Sequence, residues 1–339
     1  MTPPAESVLA VLFRPDTKAE DQAKTLTQVG GIKHIDKNLR RHDPFLTTYL
    51  VASESAADLA HSLSADGRVD SVKIIRMPHG LISEATDWTD PPFDSRPIII
   101  AGPCSIESES QICEIAHMVK DAGATALRGG AFKPRTSPYS FAGLGERGLQ
   151  YLARAKESTG LPIITEVLNP SDIEIVSQYA DVLQIGARNM HNAPLIFAAA
   201  KNSAGLPLFL KRGFGSKLNE FLLAAEGALL GRLSMKRSVS GVFLCERGIR
   251  TFEDAMRFTF DVGAIPFLKE KTALPVIADP SHPAGTSRFV LSLAKSAISA
   301  GADGLMLEVH ASPLTSWSDS TQTISPQQFK SLVQSIQAN

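Results

Sequence analysis

Along the chain, apolar residues occur either in short runs typical of strands or at the three-to-four-residue spacing typical of helices. Residues 7–77 contain short apolar runs of the kind that form half-buried strands. Between these runs, apolar residues recur every three or four positions near 19–29 and 56–63, as in amphipathic helices, with a possible cap at Ser53 or Ser55. The predicted strands span 8–13, 32–39, 45–51 and 69–77. The order β-α-β-β-α-β predicts a small ferredoxin-like α+β domain.

From Pro97 onward, buried-type apolar runs alternate with helical patterns. The runs span 98–101, 125–128, 163–166, 182–185, 208–211, 242–245, 276–278 and 305–308. Helical segments follow most of them, at 108–121, 146–158, 217–230, 287–300 and 326–337. Eight strand–helix units in about 240 residues favour a closed (β/α)₈ TIM barrel over an open sheet. We therefore predict a front domain at 1–78, a linker at 79–96 and a barrel at 97–339.

A charged or reactive residue stands at or just after the end of every predicted barrel strand. In chain order these are Cys104, Arg128, Glu166, Arg188, Lys211, Glu246, His282 and Glu308. One such residue alone is more often a solvated loop residue than a ligand contact. Because the carboxyl ends of barrel strands surround the active site in this fold, the repetition predicts an active site at that end.

Cations dominate the ends of strands two to six. They are Arg128, Lys133, Arg135, Arg188, Lys211, Arg212 and Arg247. Clustered positive charges repel one another unless anions neutralise them, and guanidinium groups match phosphate and carboxylate oxygens in pairs. The alternative is that some form structural ion pairs with Glu146, Glu166 or Glu246, which we expect of one or two. The pattern predicts a site for phosphorylated small molecules.

Strands seven, eight and one become neighbours when the barrel closes. They bring Cys104, His282 and Glu308 together, and the loop after strand eight carries Asp319. Taken singly, Cys104 is more often a small buried apolar residue than a ligand, and His282 and Asp319 are more often loop residues. Thiolate, imidazole and carboxylate together suit one divalent metal ion such as Mn²⁺, Fe²⁺, Co²⁺ or Zn²⁺. His310 is an alternative ligand.

Composition excludes several other classes of protein. The chain has 339 residues and a formal net charge of −1, which argues against a nucleic-acid or membrane-surface partner. Its first residues lack the pattern of a signal peptide, and no apolar stretch is long enough for a membrane span. Three cysteines give no disulfide framework and fit a reducing cytoplasm.

The residues at the strand ends stand in longer runs that are similar to those of a known family. The runs are Gly102-Pro103-Cys104-Ser105, Lys133-Pro134-Arg135-Thr136-Ser137, Gly186-Ala187-Arg188, Leu210-Lys211-Arg212, Cys245-Glu246-Arg247-Gly248, Asp279-Pro280-Ser281-His282 and Glu308-Val309-His310. Together they resemble the type I 3-deoxy-D-arabino-heptulosonate 7-phosphate (DAHP) synthases, and most closely the Iβ group with a ferredoxin-like or ACT-like N-terminal domain.

The resemblance implies condensation of phosphoenolpyruvate with erythrose 4-phosphate, the first step of the shikimate pathway to aromatic amino acids. It implies a metal held by Cys104, His282, Glu308 and Asp319. It assigns phosphoenolpyruvate to Arg128, Lys133, Ala187, Arg188, Lys211 and Arg247, and the phosphate of erythrose 4-phosphate to Arg135 and Thr136. Lys133 is then a candidate general acid for the alkoxide formed from the aldehyde. Feedback control is a separate hypothesis that rests only on the front domain: phenylalanine or tyrosine would bind between front domains of neighbouring subunits in a homo-oligomer, a tetramer or dimer.

Other interpretations stay open at this point. A sister family, the KDO 8-phosphate synthases, condenses phosphoenolpyruvate with arabinose 5-phosphate, but carries a lysine-alanine-asparagine-arginine-serine type run where this chain has 133–137. The barrel could also be a non-catalytic metabolite sensor. The front domain could be a packing or oligomerisation module instead of an effector-binding one.

Four local features depart from the family pattern or stand outside it. Ala142 and Ser320 replace a usual glutamine and glycine, and the linker is too short for the hairpin that often closes the barrel bottom. The basic segment 231–241 is expected to be a solvated loop.

Overall fold

The front of the chain folds into a four-stranded antiparallel sheet covered by helices. The structure, a computed structural model, describes residues 6–28, 33–34, 44–52, 55–76, 80–87, 92–93, 96–134, 137 and 139–337. The elements are β1 (Glu6–Phe13), α1 (Ala19–Gln28), β2 (Lys33–His34), β3 (Leu46–Ala52), α2 (Ala56–Ser64) and β4 (Val69–Arg76). The strand order β2-β3-β1-β4 matches the predicted ferredoxin-like arrangement. Within the described residues the second strand is shorter than predicted, and Ser53 lies outside them.

Eight parallel strands then close into a barrel, as predicted. The elements after the front domain are α3 (Gly80–Glu84), β5 (Ile98–Gly102), α4 (Glu109–Asp121), β6 (Ala126–Arg128), α5 (Glu146–Thr159), β7 (Ile163–Glu166), α6 (Ile173–Ser177), β8 (Val182–Ile185), α7 (Ala193–Ala200), β9 (Leu208–Lys211), α8 (Leu218–Ser234), β10 (Val242–Glu246), α9 (Ala264–Lys271), β11 (Val276–Ala278), α10 (Ser281–Ala284), α11 (Ser287–Ser299), β12 (Gly304–Glu308) and α12 (Pro326–Gln337). Pairing of β10 with both β9 and β11 completes the ring. The fold is therefore a (β/α)₈ TIM barrel with a small N-terminal α+β domain.

The base of the barrel is closed by one aromatic side chain from the segment predicted as linker. Phe93 is buried among inward-facing residues such as Ile98, Val182 and Phe209. Its ring meets that of Phe243 edge to face, with centroids 5.1 Å apart. Because these residues stand at the amino ends of their strands, Phe93 lies at the end of the barrel that a hairpin often closes in the family.

The front domain rests on the base and flank of its own barrel. Strand β1 alternates, so Leu9, Val11 and Phe13 pack with α2, whereas Ala10 and Leu12 join the core that includes α3 and the barrel helices. Both carboxylate oxygens of Glu226 on α8 accept hydrogen bonds, each of 2.9 Å, from the backbone N–H groups of Leu81 and Ile82 at the start of α3.

The basic segment at 231–241 is largely built into the fold, so the expectation of a solvated loop was wrong. Helix α8 extends to Ser234 and buries Arg232, whose Nη1 donates to the carbonyl of Leu206 at 3.2 Å. Arg237 donates to the carbonyls of Ala200 and Asn202 just past the end of α7, at 3.2 and 2.6 Å. These cations complement the negative end of α7. No helix in the described part of the chain is long and apolar enough to cross a membrane.

Candidate active site

A cavity of about 370 Å³ opens at the carboxyl ends of the barrel strands. Residues of both predicted halves line it: Arg128, Lys133, Ala187, Arg188, Lys211 and Arg247 from the cationic half, and His282 and Asp319 from the other. Arg135 and Thr136, predicted to bind the acceptor phosphate, lie outside the described residues. The fold thus brings together the predicted site residues that the structure describes.

The four predicted metal ligands converge at one side of this cavity. The sulfur of Cys104 and one carboxylate oxygen each of Glu308 and Asp319 lie within 4.8 Å of one another. His282 directs Nε2 toward Glu308, 3.6 Å from its Oε1, while Nδ1 lies 2.7 Å from Oδ2 of Asp279. An imidazole held by a carboxylate on its far nitrogen is the arrangement that orients a histidine ligand. His310 is less suitable, because its Nδ1 accepts from the backbone N–H of Ser312 and its Nε2 lies 3.7 Å from Glu107.

The electrostatics of this side fit a divalent cation. Burial and the charge of Glu308 raise the pKa of the Cys104 thiol to about 11. Burial alone would also raise the pKa of Asp319, but the charges of His282 and Arg257 hold that pKa below its usual range. Charged carboxylates therefore stand beside a thiol whose pKa stays raised although the Lys133 ammonium opposes the shift. A bound metal ion would offset this crowding and favour the thiolate, so the donor set fits the predicted metal.

The opposite side holds two arginines that pair with no carboxylate among the described residues. Arg247 is buried, and its Nε and Nη1 have no hydrogen-bond partner. Burial lowers its pKa to about 10. The Phe214 and Phe258 rings stack with their centroids 5.3 Å apart. The Arg247 guanidinium lies 4.9 Å from the Phe214 centroid and 4.2 Å from the Phe258 centroid. The Arg188 guanidinium lies 5.4 Å from the Phe214 centroid. Such groups are suited to receive an anion from solution.

Three of the predicted rim cations are instead paired within the protein. Arg128 donates to Oε1 of Glu308 at 2.8 Å, and Lys211 donates to Oδ2 of Asp279 at 2.5 Å. Arg212 is buried in a pair with Glu246 at 2.7 Å, and it also contacts Asp261 at 2.8 Å. The pair with Glu246 is of the kind that we expected of one or two cations, whereas Glu308 and Asp279 were not predicted as ion-pair partners. Arg212 has a structural role, whereas Arg128 and Lys211 also line the cavity.

Two further groups stand between the two sides. Lys133 Nζ donates to the carbonyl of Cys104 at 2.9 Å and to its sulfur at 3.1 Å. Glu166 was considered as an ion-pair partner, but it forms no ion pair within the described residues. It lines the cavity with Gln184, and burial raises its pKa.

Comparison with known proteins agrees with this architecture. A match to the family described as DAHP synthetase I spans residues 93–338. A phospho-2-dehydro-3-deoxyheptonate aldolase of Thermotoga maritima is 38% identical to the chain, over 97% of it and 96% of the relative. The chain belongs to the DAHP synthetase I family. The predicted resemblance is confirmed for the family.

A comparison with solved structures also finds that this DAHP synthetase I family member is similar to the Thermotoga maritima enzyme. The crystal structure of a Thermotoga maritima phospho-2-dehydro-3-deoxyheptonate aldolase (DAHP synthase) has a TM-score of 0.73 and 35% identity, and the match covers 98% of this chain and 97% of that one. A 2-dehydro-3-deoxyphosphooctonate aldolase of Nitrobacter winogradskyi is 31% identical over 72% of this chain and 88% of the relative. The octonate relative is the more distant of the two, so the comparison does not favour that alternative.

Several residues of this family member's site were not predicted from its sequence. Phe214 and Phe258 support the arginines, and Arg257 and Gln322 contact the predicted metal ligands. Each comes from a loop without periodicity, where neither spacing nor composition marks it. The structure also places the guanidinium of Arg250 5.3 Å from the Phe214 ring.

Proposed function

We propose that this chain condenses phosphoenolpyruvate with erythrose 4-phosphate and water to give DAHP and inorganic phosphate. Carbon 3 of phosphoenolpyruvate forms a bond to the aldehyde carbon, and the aldehyde oxygen becomes a hydroxyl. Water adds to carbon 2, and the C–O bond to the phosphate then breaks. The observation that carries this proposal is that one cavity combines a metal donor set with two arginines, Arg188 and the buried Arg247, that pair with no carboxylate among the described residues.

Cys104, His282, Glu308 and Asp319 would hold a divalent metal ion. When bound, it would supply a Lewis acid that polarises the acceptor aldehyde. Asp279 orients the His282 ring, and Arg128 balances the charge of Glu308. Mn²⁺, Fe²⁺, Co²⁺ and Zn²⁺ are all compatible with such donors.

The cationic side would hold phosphoenolpyruvate. Arg188 and Arg247, with the backbone of Ala187, would bind its phosphate, since neither guanidinium group pairs with a carboxylate in the part of the chain that the structure describes. Arg128, Lys133 and Lys211 would orient the rest of the molecule, and Arg135 with Thr136 would bind the phosphate of erythrose 4-phosphate. Cations on both phosphates reduce the repulsion between two anions that must meet.

Lys133 would transfer the proton that the aldehyde oxygen takes up. Its Nζ stands beside the sulfur of Cys104, and so next to the proposed metal. A group there can reach an oxygen held at the metal side while facing the anion side.

Substrate choice and metal dependence can be tested together. Purified enzyme supplied with Mn²⁺ should release phosphate from phosphoenolpyruvate in the presence of erythrose 4-phosphate. Phosphate release with arabinose 5-phosphate but not with erythrose 4-phosphate would overturn the proposal. Cys104→Ala should fold, yet lose metal-dependent turnover, and unchanged activity in that variant would remove the metal from the proposal.

Residues 1–78 are proposed to form an effector-binding domain, and the linker at 79–96 to join it to the barrel at 97–339. Phenylalanine or tyrosine would bind between front domains of neighbouring subunits in a dimer or tetramer, in the cytoplasm. Turnover of the full-length enzyme should then fall with added phenylalanine or tyrosine. If no aromatic amino acid has an effect, the front domain is a packing or oligomerisation module.

A further inference from the structure

Two residues without a part in the proposed chemistry connect the carboxylates of the metal side. Gln322 is completely buried in the loop between β12 and α12, and its Nε2 donates to Oε2 of Glu308 at 2.6 Å. Its Oε1 accepts from Nη1 of Arg257 at 2.5 Å. The same Nη1 donates to Oδ1 of Asp319 at 3.0 Å. One short chain of hydrogen bonds therefore joins Glu308 to Asp319.

These bonds fix which oxygen of each carboxylate faces the other ligands. Glu308 uses Oε2 for Gln322, and its Oε1 is the oxygen that lies 3.6 Å from Nε2 of His282. Asp319 uses Oδ1 for Arg257, and its Oδ2 accepts from the sulfur of Cys104 at 3.2 Å. A carboxylate held by such hydrogen bonds cannot rotate freely, and Arg128 also donates to Oε1 of Glu308. The inward oxygens are thus held in place before any cation arrives.

The loops that carry Arg257 and Asp319 are held in place by contacts of their own. Arg257 belongs to the segment after β10, and Gly285 at the end of α10 lies against it. Gly285 has φ of 64°, and a Cβ there would lie 2.6 Å from Cβ of Arg257, so only glycine permits the approach. Asp319 itself has φ of 51° and is fixed by Thr323, whose hydroxyl donates to its carbonyl at 2.9 Å.

We propose that Gln322 and Arg257 are positioning residues that set the affinity of the metal centre by holding Glu308 and Asp319. This inference rests on the proposed metal site. Partners that orient metal ligands typically change metal affinity about 10- to 100-fold when removed. Arg257 lies ten residues after Arg247 in the same loop segment. The hydrogen bonds of Arg257 therefore also connect the anion side of the cavity to the metal side.

The test is Mn²⁺ binding to the metal-free, full-length protein, measured by calorimetry. Gln322→Met removes the amide while keeping the length of the side chain, and it should weaken binding about 10-fold or more. Arg257→Met changes a half-exposed residue with little risk to folding, and it should weaken binding in the same direction. In the double variant, the fold-loss of Mn²⁺ affinity should be smaller than the product of the losses in the two single variants, because the two residues belong to one chain of hydrogen bonds.

Gln184→Met is the matched control, since Gln184 is also a buried amide at the barrel mouth, but its amide contacts Glu166 and none of the predicted metal ligands among the described residues. Its Mn²⁺ affinity should match that of the unmodified protein. Affinities of the Gln322 and Arg257 variants within threefold of the unmodified protein would overturn the inference, even if their thermal stability fell. Absence of stoichiometric Mn²⁺ binding by the unmodified protein would overturn the metal site itself, and this inference with it.

Discussion

Arg247 is expected to weaken the folded protein while serving its substrate. At neutral pH the guanidinium is charged, yet burial outweighs the nearby charge of Asp279 and lowers its pKa to about 10, and no carboxylate among the described residues forms an ion pair with it. A depression of that size corresponds to about 3 kcal/mol against the charged form in the folded state. Cation–π contacts with the Phe214 and Phe258 rings stabilise the charged form by about 1–2 kcal/mol and so offset part of this penalty. Arg247→Met should therefore raise the free energy of unfolding by about 1–2 kcal/mol.

The same substitution should damage catalysis. A charge-assisted hydrogen bond is worth about 1.5–3 kcal/mol when it is lost, so kcat/KM for phosphoenolpyruvate should fall roughly 100-fold. The measurements are the thermal midpoint of the metal-free, substrate-free protein and steady-state kinetics with saturating erythrose 4-phosphate. The midpoint should rise by about 2 °C or more.

Arg128→Met provides the contrast, because Arg128 is the partner of buried Glu308. Its removal leaves that carboxylate without its guanidinium, so stability should fall by about 3 kcal/mol. The reasoning about Arg247 is refuted if Arg247→Met lowers the midpoint as Arg128→Met does. It is also refuted if kcat/KM for phosphoenolpyruvate stays within threefold of the unmodified value.

Further predictions concern the base of the barrel and the junction with the front domain. Phe93→Ala should lower the free energy of unfolding by about 3–5 kcal/mol with little change in kcat, and an unchanged urea midpoint would contradict the role of Phe93 in closing the base. Glu226→Gln should lower the free energy of unfolding by about 1–2 kcal/mol and speed proteolysis between the front domain and the barrel. Proteolysis at the rate of the unmodified protein would show that other contacts hold α3. Lys236→Ala breaks an exposed pair with Asp70 across the same junction and should cost less than about 1 kcal/mol, so a large fall in the thermal midpoint would contradict this account.

The sequence predicted the barrel well because its strands are short, buried on both faces and separated by helices of clear period. All eight lie within one residue of the predicted bounds at each end, from Ile98–Gly102 to Gly304–Glu308. The metal side was also predictable, because strand order alone places Cys104 beside Glu308. These features depend on topology, which the pattern of apolar residues reveals.

The remaining features depend on pairings between residues distant in the chain. Lys211 and Asp279 are 68 positions apart, and nothing in either local run indicates that they meet. Phe93 is one aromatic residue in a segment rich in proline, so its place in the barrel could not be inferred from period or composition. Gln322 is an uncharged amide in a loop, and its role depends on the exact positions of its two neighbours.

The position of the front domain decides how an effector could act. It contacts α8 and the base of its own barrel, whereas substrates enter at the other end. A ligand bound to this domain therefore cannot obstruct the mouth of the same polypeptide directly, and obstruction would require the mouth of another copy. Inhibition of that kind is a property of the assembly, and it would fade on dilution at fixed effector concentration once the subunits separate. Cellular abundance of the enzyme would then help to set its responsiveness.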